Sequence, residues 1–309
     1  DAGLSRGLGD VYKRQTELAQ FFLRLKNLTI HFVNVYFLGP DGTHSHLAAK
    51  EIFSDGFQYM PVKSIEEIFE SVALSHSYYG VIPFENSYQG VINSSMNSLI
   101  DYDLKITKEF YFNVSHSLIS RNEKTEEVKK IISHPQVFGQ CNDWLKTHYP
   151  NAERIITTST AEAARPSSED NSLFCIAHVN AAEIFKLNVH FTDIQDKKNN
   201  VTRFLVLGKM IEEKGLKNKT TIKVNIKDQP GSLIKILMPF DKLKINMTRI
   251  ETRPSRNNTY HHTFFIDFEG YYEDDNVIKL IEILEKLCEE ISVIGSYEVL
   301  NQSDSASRI

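Results

Sequence analysis

The chain has 309 residues, 41% of them hydrophobic and 24% charged, which is enough to form two or three compact units. Its formal net charge of −5 argues against nucleic acid as the main partner, because phosphate binding needs a concentrated basic surface. No apolar run approaches the ~20 residues needed to cross a bilayer. The three widely spaced cysteines favour a reducing, cytoplasmic compartment over a disulfide framework.

The N-terminal segment needs separate treatment. Residues 10–15 read Asp-Val-Tyr-Lys-Arg-Gln, which is the translation of a common transposon sequencing adaptor. We therefore expect residues 1–15 to be an adaptor-derived artefact and exclude them from the fold. A natural disordered tail is the alternative. Residues 18–35 lack the basic region, apolar core and small-residue cleavage site of a signal peptide.

The region from residue 35 to residue 207 alternates apolar runs with amphipathic segments. Predicted strands are Val35–Leu38, Tyr79–Pro83, Val128–Ser133, Leu173–Ala177 and Thr202–Leu207. Predicted helices are Thr43–Phe53, Ser64–Leu74, a segment after Ser133 that runs through Trp144, and Ala181–Phe185. Ser64 and Glu67 have the spacing of a capping box. This alternation predicts an α/β domain with a mainly parallel sheet.

A polar, lysine-rich break at residues 212–219 separates a second unit. Its predicted strands are Thr221–Ile226, Ile245–Arg253, Tyr260–Phe268 and Ile294–Leu300, and its predicted helices are Gly231–Leu243 and Asp274–Ile291. The order β-α-β-β-α-β is that of a ferredoxin-like unit.

Two polar clusters in the first unit follow predicted strands. Residues 39–46 read Gly-Pro-Asp-Gly-Thr-His-Ser-His and precede a helix, whose N-terminus could hold a carboxylate. An ordinary strand-to-helix turn has the same composition, and the two histidines lack a third ligand at zinc-like spacing. Asn86 and Ser87, just past a buried strand, could orient a ligand through neutral hydrogen bonds. Glu85 could instead cap a helix end.

A third cluster is Ser133-His134-Pro135-Gln136, with Gln140 one helical turn after Gln136 on the same face. A nucleophilic Ser-His pair is disfavoured, because sequence neighbours rarely point at one another and no glycine elbow is present.

The fourth cluster reads Asn-Val-Thr-Arg-Phe at residues 200–204. Strand alternation would place Thr202 and Phe204 on one face and Arg203 on the other. We expect the geometry to relax at the start of the strand, so that both Thr202 and Arg203 reach one cleft. Arginine suits bidentate binding of a carboxylate. An exposed arginine at a strand edge is the alternative.

In their joint order and spacing, these clusters resemble the prephenate dehydratase family. The matching motifs are Gly-Pro-x-Gly-Thr at 39–43, Glu-Asn-Ser at 85–87 with Gly90, Ser-His-Pro-Gln at 133–136 with Gln-Cys at 140–141, Ser-Thr-Ala at 159–161 and Thr-Arg-Phe at 202–204. The last unit is similar to the ACT domain of these enzymes. It has Gly-Ser-Leu at 231–233 and Glu-Thr-Arg-Pro at 251–254, where the family has Gly-Ala-Leu and Glu-Ser-Arg-Pro.

The resemblance implies a lyase that removes CO₂ and water from prephenate to give phenylpyruvate for phenylalanine biosynthesis. Aromatisation drives the step, so neither a metal nor an organic cofactor is implied. Thr202 is implied as the donor to the leaving hydroxyl, in a network with Asn86, Ser133 and Gln140. Arg203 is implied to hold a substrate carboxylate. Further substrate-binding positions implied by the resemblance are Thr43, Glu85, Ser87, Ser159, Thr160 and Phe204.

The implied fold is a two-lobed α/β domain, like a periplasmic solute-binding protein, followed by the ACT domain. We expect one lobe at about 35–108 plus 190–208, the other at 109–189, a linker at 209–219 and the ACT domain at 220–300. Closure of the cleft between the lobes would exclude water.

The resemblance also implies phenylalanine as an allosteric effector, enclosed between ACT domains of a homodimer or homotetramer. The implied contacts are Gly231, Ser232, Leu233, Asn246, Glu251, Thr252, Arg253 and Pro254. Free amides at the N-terminus of the predicted helix after residue 231 suit an amino-acid carboxylate. An ACT domain that only dimerises is the alternative.

Three positions in the first unit depart from the family pattern. Ser95 and Asn97 stand where the family tends to have Thr and Asp, and His44 stands where an aromatic apolar residue is common. Three other functions stay open: the same chemistry on arogenate, a non-catalytic solute-binding or amino-acid-sensing protein, and a fusion with an upstream chorismate mutase. The presence of Thr202 argues against the non-catalytic protein.

Overall fold

The computed structural model describes residues 33–301, except 54–55, 126–127, 228 and 255–261, so the interpretation of residues 1–15 lies outside the described residues. The strands are β1 (Val33–Leu38), β2 (Phe57–Val62), β3 (Tyr78–Asn86), β4 (Gly90–Val91), β5 (Lys105–Asn113), β6 (Ser117–Ser120), β7 (Lys130–Ser133), β8 (Glu153–Ile156), β9 (Leu173–Ala177), β10 (Asn188–Phe191), β11 (Val201–Gly208), β12 (Asn218–Ile226), β13 (Met247–Pro254), β14 (His262–Glu269) and β15 (Glu290–Asn301). The helices are α1 (His44–Ile52), α2 (Ile65–Ala73), α3 (Asn93–Asp101), α4 (Pro135–Gln140), α5 (Asn142–His148), α6 (Thr160–Glu169), α7 (Asn180–Phe185), α8 (Ser232–Lys242) and α9 (Asp275–Leu287).

Helix α2 shows how local sequence sets the start of an element. Ser64 is its N-cap, and the Ser64 hydroxyl accepts a hydrogen bond from the Glu67 N–H at 3.2 Å. The Glu67 carboxylate accepts from the Lys63 N–H at 2.8 Å, one residue before the position of a standard capping box. Ile65, Ile68, Phe69 and Val72 are buried on one face of the helix. The predicted apolar face is thus the face that packs.

Two sheets form the two lobes of the first domain. The first sheet has the order β2-β1-β3-β11-β5, and the second has the order β10-β6-β9-β7-β8. The prediction of a mainly parallel sheet is wrong: β11 runs antiparallel to both β3 and β5, and β6 runs antiparallel to both β9 and β10. The physical reason is the path of the chain, which leaves the first lobe through β5 and returns along β11.

The crossings between the lobes differ from the expected positions. Strand β5 continues in the first sheet to Asn113, so the expected boundary after residue 108 falls inside a strand. Strand β10 pairs with β6 in the second sheet, so the return crossing follows Phe191 rather than residue 189. The two connections therefore lie at residues 114–116 and 192–200.

The C-terminal domain has the β-α-β-β-α-β order expected of an ACT domain, built from β12, α8, β13, β14, α9 and β15, and is called the ACT domain below. Its core contains Ile222, Val224, Phe240, Phe268 and Leu280. The predicted helix through Ile291 is too long, because α9 ends at Leu287 and Ile291 pairs with Val224 inside the sheet.

Strand β15 joins the two domains, because it pairs parallel with β5 and makes the ACT sheet continuous with the first lobe. Gly295 permits this approach, since a Cβ there would lie 2.4 Å from the Ile106 carbonyl oxygen. No helix of the described residues is both long enough and apolar enough to cross a membrane.

Candidate active site

A cavity of about 400 Å³ lies between the two lobes. Both lobes contribute predicted site residues to its wall, namely Thr43, Asn86, Gln140, Ser159, Thr160, Thr202 and Phe204. The connecting segments add His116 and Asn200. The fold therefore gathers seven predicted positions that are far apart in sequence.

Asn86 fixes the hydroxyl of Thr202. The Asn86 Nδ2 group donates to Asn200 Oδ1 at 2.8 Å and to Thr202 Oγ1 at 3.0 Å, while Asn86 Oδ1 accepts from the Tyr88 N–H at 3.0 Å. The Tyr88 contact settles which side of the amide is the donor. The Thr202 oxygen is therefore an acceptor, and no hydrogen bond donated by the Thr202 hydroxyl is found within the described residues. That hydrogen is free for a molecule in the cavity.

Two helix N-termini face the cavity through their capping residues. Thr43 caps α1: its hydroxyl donates to the Leu38 carbonyl at 2.9 Å and accepts from the His46 N–H at 3.4 Å. Ser159 caps α6 and accepts from the Glu162 N–H at 3.1 Å. Each helix end carries partial positive charge and unpaired amides, which suit an anion.

Three histidines, His44, His116 and His178, cluster beside the cavity, and His44 and His178 also contact Phe112. The His44 ring centroid lies 6.0 Å from that of His116 and 5.8 Å from that of His178. Burial, together with the nearby His116 and His178, lowers the pKa of His44 to about 3. Burial and His116 lower the pKa of His178 to about 4. All three rings are neutral at pH 7, since burial also lowers the pKa of His116.

His116 contacts a predicted site residue and was missed by the sequence motifs. Its Nε2 lies 2.6 Å from Gln140 Oε1, whereas its buried Nδ1 has no hydrogen-bond partner among the described residues. The buried Nε2 of His44 likewise has no partner there. His116 precedes β6 in a segment that no motif marked. The only sequence signal at this cluster was the departure of His44 from the family pattern.

The cavity wall carries no Lys, Arg, Asp or Glu among the described residues. Arg203 lies instead on the opposite face of β11 from Thr202, buried against the ACT sheet, where its Nη2 is 2.5 Å from Glu109 Oε2 and 2.8 Å from Asp267 Oδ2. The expectation that Arg203 reaches the same cleft as Thr202 is therefore corrected. Side chains alternate between the two faces of β11 from its first residues, because both neighbouring strands already pair with it there. Thr202 pairs with Asn86 of β3 and with Phe112 of β5.

Three more predicted residues lie away from the cavity. Ser133 is fully buried, and its hydroxyl donates to the Ile176 carbonyl at 2.7 Å, so it ties β7 to β9. Glu85 faces Arg203 and Arg249, with its Oε2 3.5 Å from Arg249 Nε. Ser87 is exposed and accepts from the Val201 N–H at 3.1 Å, next to the start of β11. These three side chains support the strands that carry the site.

A family model described as prephenate dehydratase matches residues 35–212, which is more than half of the chain. The chain belongs to the prephenate dehydratase family. It is accordingly an enzyme of phenylalanine biosynthesis, a carbon–oxygen lyase.

Curated relatives and solved structures agree with this membership. The chain is 38% identical over 270 residues to the bifunctional chorismate mutase/prephenate dehydratase of Pseudomonas aeruginosa, covering 86% of this chain and 73% of the relative. It is 34% identical to the prephenate dehydratase of Methanocaldococcus jannaschii over 269 residues, which is 85% of this chain and 97% of the relative. A crystal structure of prephenate dehydratase from Arthrobacter aurescens in complex with L-Phe has a TM-score of 0.76 at 29% identity, covering 86% of this chain and 90% of the other.

Two departures from the prephenate dehydratase pattern have clear places in the fold. Ser95 is fully buried in α3, and its hydroxyl donates to the Pro83 carbonyl at 2.5 Å, so it holds the end of β3 below Asn86. Asn97 is exposed on the same helix.

Cys141, after Gln140, is buried, and burial raises the pKa of its thiol to about 12, so the thiol stays protonated.

The predicted effector positions of the ACT domain lie at the N-terminus of α8 and along β13. Gly231 has a φ of +83° and precedes α8, whose N-terminus has no side-chain cap among the described residues. Asn246 precedes β13, and its carbonyl accepts from the Glu269 N–H at 2.9 Å. Glu251 forms ion pairs with Arg249 at 3.2 Å and with Arg253 at 3.3 Å. The remaining predicted positions lie in the same two segments: Ser232, Leu233, Thr252 and Pro254.

Proposed function

We propose that prephenate binds in the cavity between the lobes and that the Thr202 hydroxyl donates its hydrogen to the departing ring hydroxyl. The single observation that carries this role is the hydrogen bond from Asn86 to Thr202, which leaves the Thr202 hydrogen unused at the cavity wall. Hydrogen-bond or proton donation to a leaving group is typically worth ~10²–10⁴-fold in rate.

The reaction takes up one proton, from the solvent or an acidic group, and needs no other reactant. The bond between the ring and its carboxylate carbon breaks, CO₂ leaves, and the electron pair enters the ring. The ring becomes aromatic as its C–OH bond breaks, and the hydroxide takes a proton to leave as water. An unperturbed threonine is a weak acid, so Thr202 acts as a hydrogen-bond donor or as a relay from a protonated group or water. His116 and Gln140, which contact each other, also line the cavity.

The lack of charged side chains on the cavity wall suits the loss of CO₂. An arginine against the ring carboxylate would stabilise the ground state and slow its loss. Neutral donors and the N-termini of α1 and α6 can instead hold the pyruvyl carboxylate, through Thr43, Ser159 and Thr160. Arg203 lies outside the cavity and does not make the carboxylate contact expected from the sequence.

The ACT domain supports a proposal of control by phenylalanine. The Arthrobacter aurescens enzyme was solved in complex with L-Phe, and α8 of this chain offers an uncapped N-terminus behind Gly231. Apolar side chains stand exposed beside it, including Ile234 at 63%, Met238 at 50% and Ile250 at 44%. A second ACT domain packed on this face would bury them and enclose the effector, which favours a homodimer or homotetramer. A cytoplasmic location fits an enzyme with buried free thiols.

The experiment is to incubate purified protein with prephenate and to measure phenylpyruvate by its ultraviolet absorbance in base. Arogenate is tested in parallel, with phenylalanine as the product. Turnover of prephenate well above turnover of arogenate supports the proposal. A folded protein that converts only arogenate contradicts the substrate assignment but keeps the chemistry, whereas one that converts neither contradicts both.

A further inference from the structure

Arg203 links the catalytic strand to the ACT domain. It follows Thr202 in β11, so the two Cα atoms are ~3.8 Å apart, yet the two side chains leave the strand in opposite directions. The Arg203 guanidinium makes two hydrogen bonds to Glu109 of β5, from Nε at 2.9 Å and from Nη2 at 2.5 Å. The same Nη2 lies 2.8 Å from Asp267 of β14 in the ACT domain. Arg203, the neighbour of Thr202, thus contacts both domains through its one side chain.

The contact extends into a buried network that is neutral as a whole. Lys219 of β12 lies 2.6 Å from Glu109 Oε1, so two cations face the two carboxylates of Glu109 and Asp267. Thr221 donates to Asp267 Oδ1 at 2.8 Å and contacts the Tyr297 hydroxyl at 2.7 Å. The side chains of Glu109 and Asp267 are 0% and 2% exposed. Since Glu109 and Asp267 are almost fully buried, separating them from their partners would leave buried charges uncompensated, and the network therefore favours one relative placement of the ACT sheet and β11.

A displacement of the ACT sheet would move Arg203 and β11, and would therefore change the position of the Thr202 hydroxyl. The Asp267 Oδ2 atom contacts Arg203 as an ion pair without a hydrogen bond, so it is held by charge and short distance alone. On the other face, Thr202 depends on its 3.0 Å contact with Asn86 of β3. A misplacement of about 1 Å at a reacting group can cost ~10²-fold in rate.

We propose that Arg203 is a positioning residue through which the ACT domain sets the place of the Thr202 hydroxyl. This inference rests on the proposed catalytic role of Thr202. It predicts that a change at Asp267, in a different domain from the cavity, lowers kcat while the KM for prephenate stays the same. It also predicts that an effector of the ACT domain acts on kcat through this network.

The test compares Asp267→Asn with Asp241→Asn, the same change at an ACT carboxylate that is 84% exposed and pairs only with Lys244 in the described structure. Folding is checked by circular dichroism, and kcat, KM and the phenylalanine dose-response are measured on prephenate. We expect kcat of Asp267→Asn to fall by ~10-fold or more, with KM within twofold and a shifted phenylalanine midpoint. Asp241→Asn should match wild type in all three.

Tyr297→Phe provides a second test should Asp267→Asn fail to fold. It removes only the hydroxyl that lies 3.3 Å from Arg203 Nη2 and keeps the buried ring. We expect a smaller fall in kcat at constant KM and a shifted phenylalanine midpoint. A folded variant of either kind with wild-type kcat and wild-type phenylalanine response would overturn the inference. If wild-type protein fails to convert prephenate, or if loss of the Thr202 hydroxyl has no effect, the proposed function fails instead.

Discussion

Replacement of Arg203 by lysine separates a contact with substrate from a contact between domains. In the structure the guanidinium binds Glu109 through two nitrogens, lies 2.8 Å from Asp267 Oδ2 and stacks 5.2 Å above the Phe84 ring. An ammonium group is a compact point charge and cannot reach both carboxylates in this geometry. One buried carboxylate therefore loses its partner.

The expected cost follows from the burial of these groups. Breaking a buried ion pair by removing one partner typically costs about 3–5 kcal/mol, because the other charge stays buried and uncompensated. At about 2–4 °C per kcal/mol, the thermal midpoint of Arg203→Lys should fall by roughly 6–20 °C. The KM for prephenate should stay within twofold of wild type, because Arg203 does not line the cavity.

Thermal unfolding followed by circular dichroism gives the midpoint, and initial rates at several prephenate concentrations give KM. Lys279→Arg is the control, because it exchanges the same two residue types at an exposed position of α9. A raised KM with an unchanged midpoint would refute the reasoning, since it would place Arg203 against the substrate and not against the ACT domain.

Three further outcomes are expected. The neutral state of His44 stabilises the fold above its ordinary pKa of 6.5, and this contribution is lost as pH falls from 6.5 to about 3, because the unfolded chain takes up the proton first. The thermal midpoint of His44→Phe should therefore fall less than that of wild type between pH 6.5 and pH 4. Gly231→Val should abolish phenylalanine binding in calorimetric titration while prephenate turnover persists, because a β-branched residue is strained at a φ of +83°. Dialysis against a chelator should leave kcat unchanged, and activity that is lost and then restored by a divalent ion would contradict the cofactor-free mechanism.

The sequence was informative where local chemistry decides local structure. The Ser64 and Glu67 spacing set the start of α2, and the strand Leu173–Ala177 has the predicted bounds. The order of elements predicted the ACT fold. The motifs predicted that Asn86 and Thr202 belong to one site, and in the structure their side chains are in contact.

The sequence was uninformative where distant segments decide. The direction of β11 depends on where the chain crosses between lobes, which no local pattern records. Arg203 has the same neighbours in sequence whether it faces the cavity or the ACT sheet, and only Glu109 and Asp267, more than 60 residues away along the chain, decide between them. His116 was missed because its position against Gln140 arises from packing between the lobes.

The most direct measurement of the central claim is the kcat of Thr202→Val beside that of Thr202→Ser on prephenate. Valine keeps the shape of the side chain and removes the hydroxyl, whereas serine keeps the hydroxyl and removes a methyl group. We expect Thr202→Val to lose ~10²–10⁴-fold in kcat and Thr202→Ser to lose far less, with both proteins folded. Near-wild-type turnover by folded Thr202→Val would contradict the assignment of Thr202 as the donor to the leaving hydroxyl.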